Sequence, residues 1–176
     1  PHSKKHFFTN KINIDYKEGD CPNFKNFLND VFESNKELVL AAQKIFGYCL
    51  VGGAPILHKA FCLVGSGRDG KGVFLDALNL ILEESYSVVS LANIDNPFSM
   101  VSLDGSLANI TEESPREINS ELFKTIVAGG EVQAGQKHLA EYRFRVNARF
   151  IFACNDFPYF DDKNISMNDR LFIIPF

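Results

Sequence analysis

The sequence contains no tryptophan and two methionines, and none of its apolar runs approaches the length of a membrane-crossing helix, roughly 18 residues. A membrane partner is therefore not expected. Its four cysteines, Cys21, Cys49, Cys62 and Cys154, are separated by 28, 13 and 92 residues. No CxxC pair and no paired histidines accompany them, which argues against a zinc site, because zinc ligands come in close local pairs. Cys49, Cys62 and Cys154 each sit in an apolar stretch, as buried free thiols do. That usage implies a reducing, cytoplasmic setting. No secretory signal opens the chain. His2, His6, His58 and His138 are scattered and form no catalytic dyad. There is no internal repeat and no low-complexity tract. What remains is a 176-residue chain, 45% hydrophobic and 23% charged, the balance of a globular domain with a real core. Pro1 and Phe176 read as the cut ends of something longer.

The net charge of −4 argues at first sight against a nucleic-acid partner. The distribution removes that objection. Residues 104–121 carry five acids and one base, whereas residues 124–149 carry five bases and two acids. A nucleic acid engages a local surface, so the overall sign excludes nothing. Seventeen phenylalanines could supply stacking platforms, but most fall at helix or strand periodicity and read as core. Tyr142 and Phe144 are the exceptions that suit base stacking.

The first 57 residues read as a small helical region. Phe24, Phe27, Leu28, Val31 and Phe32 recur at helical spacing behind Pro22, predicting a helix over 22–33. A second helix is predicted over 36–50, ended by Gly52, Gly53 and Pro55. Residues 58–176 change character. Ala60 to Val64 is a short continuous apolar run, as in a parallel strand buried on both faces. A helix is predicted over 70–84 and another over 119–127. Further strands are predicted over 88–91, 107–111, 149–154 and 171–174, and a hairpin over 131–134 and 142–146. Strands alternating with helices give an α/β fold with a parallel sheet covered by helices.

Gly65-Ser66-Gly67-Arg68-Asp69-Gly70-Lys71-Gly72 fits G-x-x-x-x-G-K between a buried strand and a helix. Glycines let successive amides converge on a phosphate, the helix adds its positive end, and Lys71 reaches the outer phosphates. The bland alternative is a glycine-rich turn with a surface lysine. One position departs from the pattern. Gly72 stands where a Ser or Thr hydroxyl would ligate Mg2+, so either water replaces it or metal binding is weakened.

Three further features can complete such a site. The predicted strand through Ile110 and Thr111 ends in Glu112 and Glu113. One acid can hold magnesium, for which Glu112 is the candidate, and the other can orient the attacking water. Asn155 ends the strand 149–154 and can bond a terminal phosphate and that water. Arg170 precedes the last strand and can act on the nucleotide of a neighbouring subunit. Each has an ordinary reading too: a solvated acid pair, a turn-forming asparagine, and an ion pair with Asp169.

In their order, GSGRDGKG, ANITEES, FKTIVAGGE, FIFACND and NDRLFIIPF resemble the superfamily 3 helicase domain, above all that of phage, plasmid and poxvirus-type primase–helicases. DYKEGDCPNFKNFLNDVF resembles the helical region that precedes it. The resemblance implies an AAA+-type P-loop core that binds ATP and Mg2+. It implies a homo-oligomeric, hexameric ring and translocation on single-stranded DNA. Lys71, Glu112, Glu113, Asn155 and Arg170 match the catalytic positions of the family. Ala128 through Lys137 matches its DNA-contacting motif, which makes Lys137 and His138 the DNA-facing candidates. Ala128, Glu131 and Gly135 are variants within that motif. Two other readings stay open: a non-hydrolysing nucleotide-binding ring module, favoured by Gly72, and a P-loop kinase of small molecules. Arg143, Arg145 and Arg149, at odd spacing, suit a DNA surface better than a kinase lid.

Overall fold

The computed structural model describes residues 5, 11–112, 117–136, 140–160 and 165–176. The helical region holds α1 (Pro22–Val31) and α2 (Lys36–Leu50). Pro22 opens α1, where its missing N–H costs nothing. Asn35 caps α2 by accepting from the Glu37 and Leu38 amides. The rest of the chain runs β1 (Ala60–Val64), α3 (Lys71–Leu82), β2 (Tyr86–Ser87), α4 (Pro97–Met100), β3 (Ala108–Thr111), β4 (Glu117–Ile118) and α5 (Ser120–Val127). It continues through β5 (Glu131–Ala134), β6 (Tyr142–Arg145), β7 (Arg149–Cys154), β8 (Tyr159–Phe160), α6 (Ile165–Asn168) and β9 (Leu171–Pro175).

Five strands form one parallel sheet in the order β2-β3-β7-β1-β9. β4 pairs with β8, and β5 with β6 as the expected antiparallel hairpin. This is the α/β fold with a parallel sheet that the alternation of elements predicts, and it fits the P-loop NTPase-like core that the resemblance implies.

Strand pleating divides the core in two. Phe61, Leu63, Ile151, Ala153 and Ile174 point to one face. There they meet Phe74, Leu75, Leu78 and Leu82 of α3, together with Leu28, Ala42, Ile45, Phe46 and Cys49 of α1 and α2. Ala60, Cys62, Phe150, Phe152 and Cys154 point to the other, against Phe123, Ile126 and Val127 of α5 and Val132 of the hairpin. The helical region thus shares a core with the sheet. Cys49, Cys62 and Cys154 are buried free thiols, and burial pushes the Cys49 thiol up to about 12.

The first edge of the sheet differs from expectation. The run 88–91 is no strand; β2 stops at Ser87. The buried side chain of Asn109 accepts from the Val89 amide at 2.7 Å and donates to the Val89 carbonyl at 2.9 Å. It also accepts from Ser87 Oγ at 2.9 Å. A side-chain amide takes the place of a ladder rung there, satisfying both backbone groups without a strand.

Arg149 is a second difference. It belongs to no DNA-facing surface, because it is 2% exposed and ranks among the largest fully buried side chains. Its guanidinium donates to the carbonyls of Gly53 at 2.9 Å and Asn147 at 2.8 Å.

Candidate functional site

All strands of the sheet run the same way, so their carboxyl ends share one edge. β1 delivers the glycine-rich loop to that edge, β3 delivers Glu112, and β7 delivers Asn155. The loop is tied to β7 directly, since the Gly65 amide donates to the Cys154 carbonyl at 3.2 Å. A cavity of about 500 Å³ opens there, lined by Gly67 through Val73, Leu75, Glu112, Ala153 and Asn155. Three segments separated by some 40 residues each in the sequence therefore meet around one space. Gly65 and Ser66 start the loop but do not line the cavity. Glu113, Lys137 and His138 lie outside the described residues.

The loop's shape has identifiable causes. Gly67 and Gly70 have φ of 97° and 100°, which only glycine adopts without strain. At Gly70 a side chain would also strike α1, its Cβ lying 2.9 Å from Val31 Cγ2. The helical region thus braces the loop from behind. Lys71 opens α3 and is 7% exposed. Its ammonium pairs with the Asp69 carboxylate. Asp69 also accepts from the Gly67 amide at 3.2 Å and the Lys71 amide at 3.4 Å. Burial works against the charge of Asp69, yet the bonds from Lys71 and the loop amides hold its carboxyl below the usual range.

The metal side is thinner. Gly72 presents no hydroxyl, and the carboxylates among the lining residues are Asp69 and Glu112. Glu112 is exposed at its strand end and suits an outer metal ligand.

The chain belongs to the family of unknown function DUF5906. That family's model matches residues 63–170, which contain the loop, Glu112, Asn155 and Arg170. Residues 1–33 match a second model, described as D5 N terminal like. Among solved structures, two apo structures of the NrS-1 C-terminal region superpose with TM-scores of 0.71 and 0.70 at 20% and 19% identity. Each covers 96% of this chain, while this chain spans only 41% and 42% of theirs. A ligand-bound structure of JCV Helicase superposes with a TM-score of 0.50 at 14% identity, covering 86% of this chain and 44% of that one. No curated protein sequence matches. The resemblance to phage and viral primase–helicases is borne out by the D5-like segment and, at the level of fold, by these structures.

Arg170 is the candidate that the fold sets apart. It precedes β9, whose first residue pairs with Ala60 at the start of β1, and its carbonyl accepts from the Ala60 amide at 2.8 Å. Arg170 therefore sits at the amino edge of the sheet, about 16 Å from the loop across a five-residue strand. It is outside the cavity of its own chain. No helix among the described residues is long and apolar enough to cross a membrane.

The hairpin shows a similar division. Arg143 and Arg145 are exposed, and Arg143 pairs with Glu131 at 3.5 Å. Tyr142 and Phe144 share the hairpin face of Ala134 and Val132, but Tyr142 keeps 37% of its surface exposed. Phe144 packs against the core, and the Tyr142 hydroxyl donates to Asp104 at 3.1 Å. Phe144 therefore anchors the hairpin, the Tyr142 ring is exposed and tethered by its hydroxyl, and the opposite face is the basic one. The alternation of the strand carried this signal in the sequence.

Proposed function

We propose that this chain is the motor module of a replication helicase, which hydrolyses ATP within a ring of copies and moves along single-stranded DNA. One observation carries the reading: the phosphate loop, Glu112 and Asn155 line a single cavity at the carboxyl edge of a parallel sheet. The loop amides and Lys71 bind the phosphates there. Magnesium, when bound, neutralises phosphate charge, and Glu112 is the residue that holds it. Asn155 positions the attacking water, and Glu113 is the proposed base.

Arg170 supports the ring. An arginine at the opposite edge of the sheet serves a nucleotide only across a subunit boundary, as in a head-to-tail assembly. A hexamer is the proposed closure. The exposed arginines of the hairpin, with Lys137 and His138, are the proposed DNA contacts.

The test is ATP hydrolysis by the purified chain with and without single-stranded DNA. Turnover stimulated by DNA is expected. Hydrolysis indifferent to DNA, or phosphoryl transfer to a metabolite, overturns the motor.

Gly72 favours a second reading, a ring that binds nucleotide for assembly alone. Nucleotide-dependent oligomers without hydrolysis would select it.

A further inference from the structure

The glycine-rich loop is already filled by an anion of its own. The Asp69 carboxylate takes the Lys71 ammonium, the Gly67 amide and the Lys71 amide, the groups that a phosphate would use. It reaches the middle of the loop: a Cβ at Gly65 would lie 1.9 Å from Asp69 Oδ2. The bond from Oδ1 to the amide two residues on is an ordinary turn feature. The bonds of Oδ2 are not, because they set its charge against both the Gly67 amide and the Lys71 ammonium. The Asp69 and Lys71 side chains are 14% and 8% exposed, so the pair is poorly screened by water.

We propose that Asp69 is an internal occupant of the phosphate nest, so that a polyphosphate binds by exchange with this carboxylate. The inference rests on the reading of the loop as a nucleotide site. Exchange has a chemical consequence. A single inorganic phosphate offers the nest little more than the carboxylate already does. A di- or triphosphate brings more charge and further oxygens for the helix end, so it can displace Asp69. Asp69 then sets both affinity and the discrimination between polyphosphates and phosphate. The displaced carboxylate stays near the phosphates, so its repulsion persists in the bound state.

The experiment is calorimetric titration of ADP, pyrophosphate and inorganic phosphate into the purified chain, in EDTA, for the native protein, Asp69→Asn, Asp69→Ala and Lys71→Ala. Asp69→Asn keeps the shape and removes the charge, and should bind ADP tighter by about tenfold or more. Asp69→Ala should move the same way. The preference for pyrophosphate over phosphate should widen in both, because the displacement cost is common to the two ligands while the repulsion relieved grows with ligand charge. ADP binding by the two Asp69 variants that is unchanged or weaker, with binding lost in Lys71→Ala, overturns the exchange and leaves the nucleotide site standing. Unchanged ADP binding in Lys71→Ala overturns the site and the exchange together.

Discussion

The guanidinium carbon of Arg149 lies 4.8 Å from the centre of the Tyr48 ring. This contact joins the first residue of a central strand to the last turns of α2. The same guanidinium donates to Gly53 and Asn147, so it closes the linker between the helical region and the sheet. The charge is buried beside two carbonyls and a ring face, while its Nε has no hydrogen-bond partner among the described residues.

Arg149→Met should therefore lower stability by about 2 kcal/mol, because it removes two part-buried hydrogen bonds and the contact with Tyr48. Urea unfolding measures the loss. Arg149→Lys should recover part of it, since both carbonyls accept from the one nitrogen Nη1, which an ammonium can replace, whereas the planar group over Tyr48 is lost. DNA affinity per folded molecule should stay unchanged. A drop in DNA affinity at unchanged stability would return Arg149 to the binding surface.

Gly130 tests whether the double glycine of the AGGE segment is structural. A Cβ there would lie 2.6 Å from Thr125 Cγ2 and 2.8 Å from the Thr125 carbonyl oxygen. That carbonyl accepts from the Gly130 amide at 2.8 Å and cannot withdraw freely. Gly130→Ala should cost about 1–3 kcal/mol. Gly47 is the control, because its Cβ would meet nothing within 4 Å inside α2. Gly47→Ala should raise stability by about 1 kcal/mol. Thermal melts of both variants check the contrast.

The separation of Arg170 from its own loop predicts complementation. Arg170→Ala should bind ATP like the native chain and fail to turn it over. Lys71→Ala should also be inactive. Mixed, the two should recover part of the ATPase activity, since one interface then combines an intact loop with an intact arginine. Full activity of Arg170→Ala alone would end its role.

Gly72→Ser supplies the hydroxyl missing from the position after Lys71. A Cβ at this position meets nothing within 4 Å, so the substitution is sterically free. Binding of Mg2+-ATP should tighten by about tenfold, which is the scale of one metal ligand gained among several. Magnesium titration of nucleotide affinity reads this directly. No change would mean that another group already fills the ligand position.

Local patterns determined much of this protein. Helical spacing from Phe24 to Phe32 set α1, and the apolar runs at Ala60 and Arg149 set two central strands. The strand–loop–helix order set the phosphate loop, because each depends on neighbours in the chain. Other features needed the folded molecule. Arg149 reads as one more surface arginine until the linker carbonyls and Tyr48 close around it. Asn109 reads as one polar residue in a strand, yet its amide ends β2 by binding Val89 from 20 residues away. Asp69 reads as a loop residue; only its bonds from the Gly67 amide and from Lys71 make it an internal anion. The gathering of Lys71, Glu112 and Asn155, and the exile of Arg170 to the opposite edge, follow from strand order and direction. Those are set by burial on both faces of the sheet, a property of the packed layers that no short window of sequence contains.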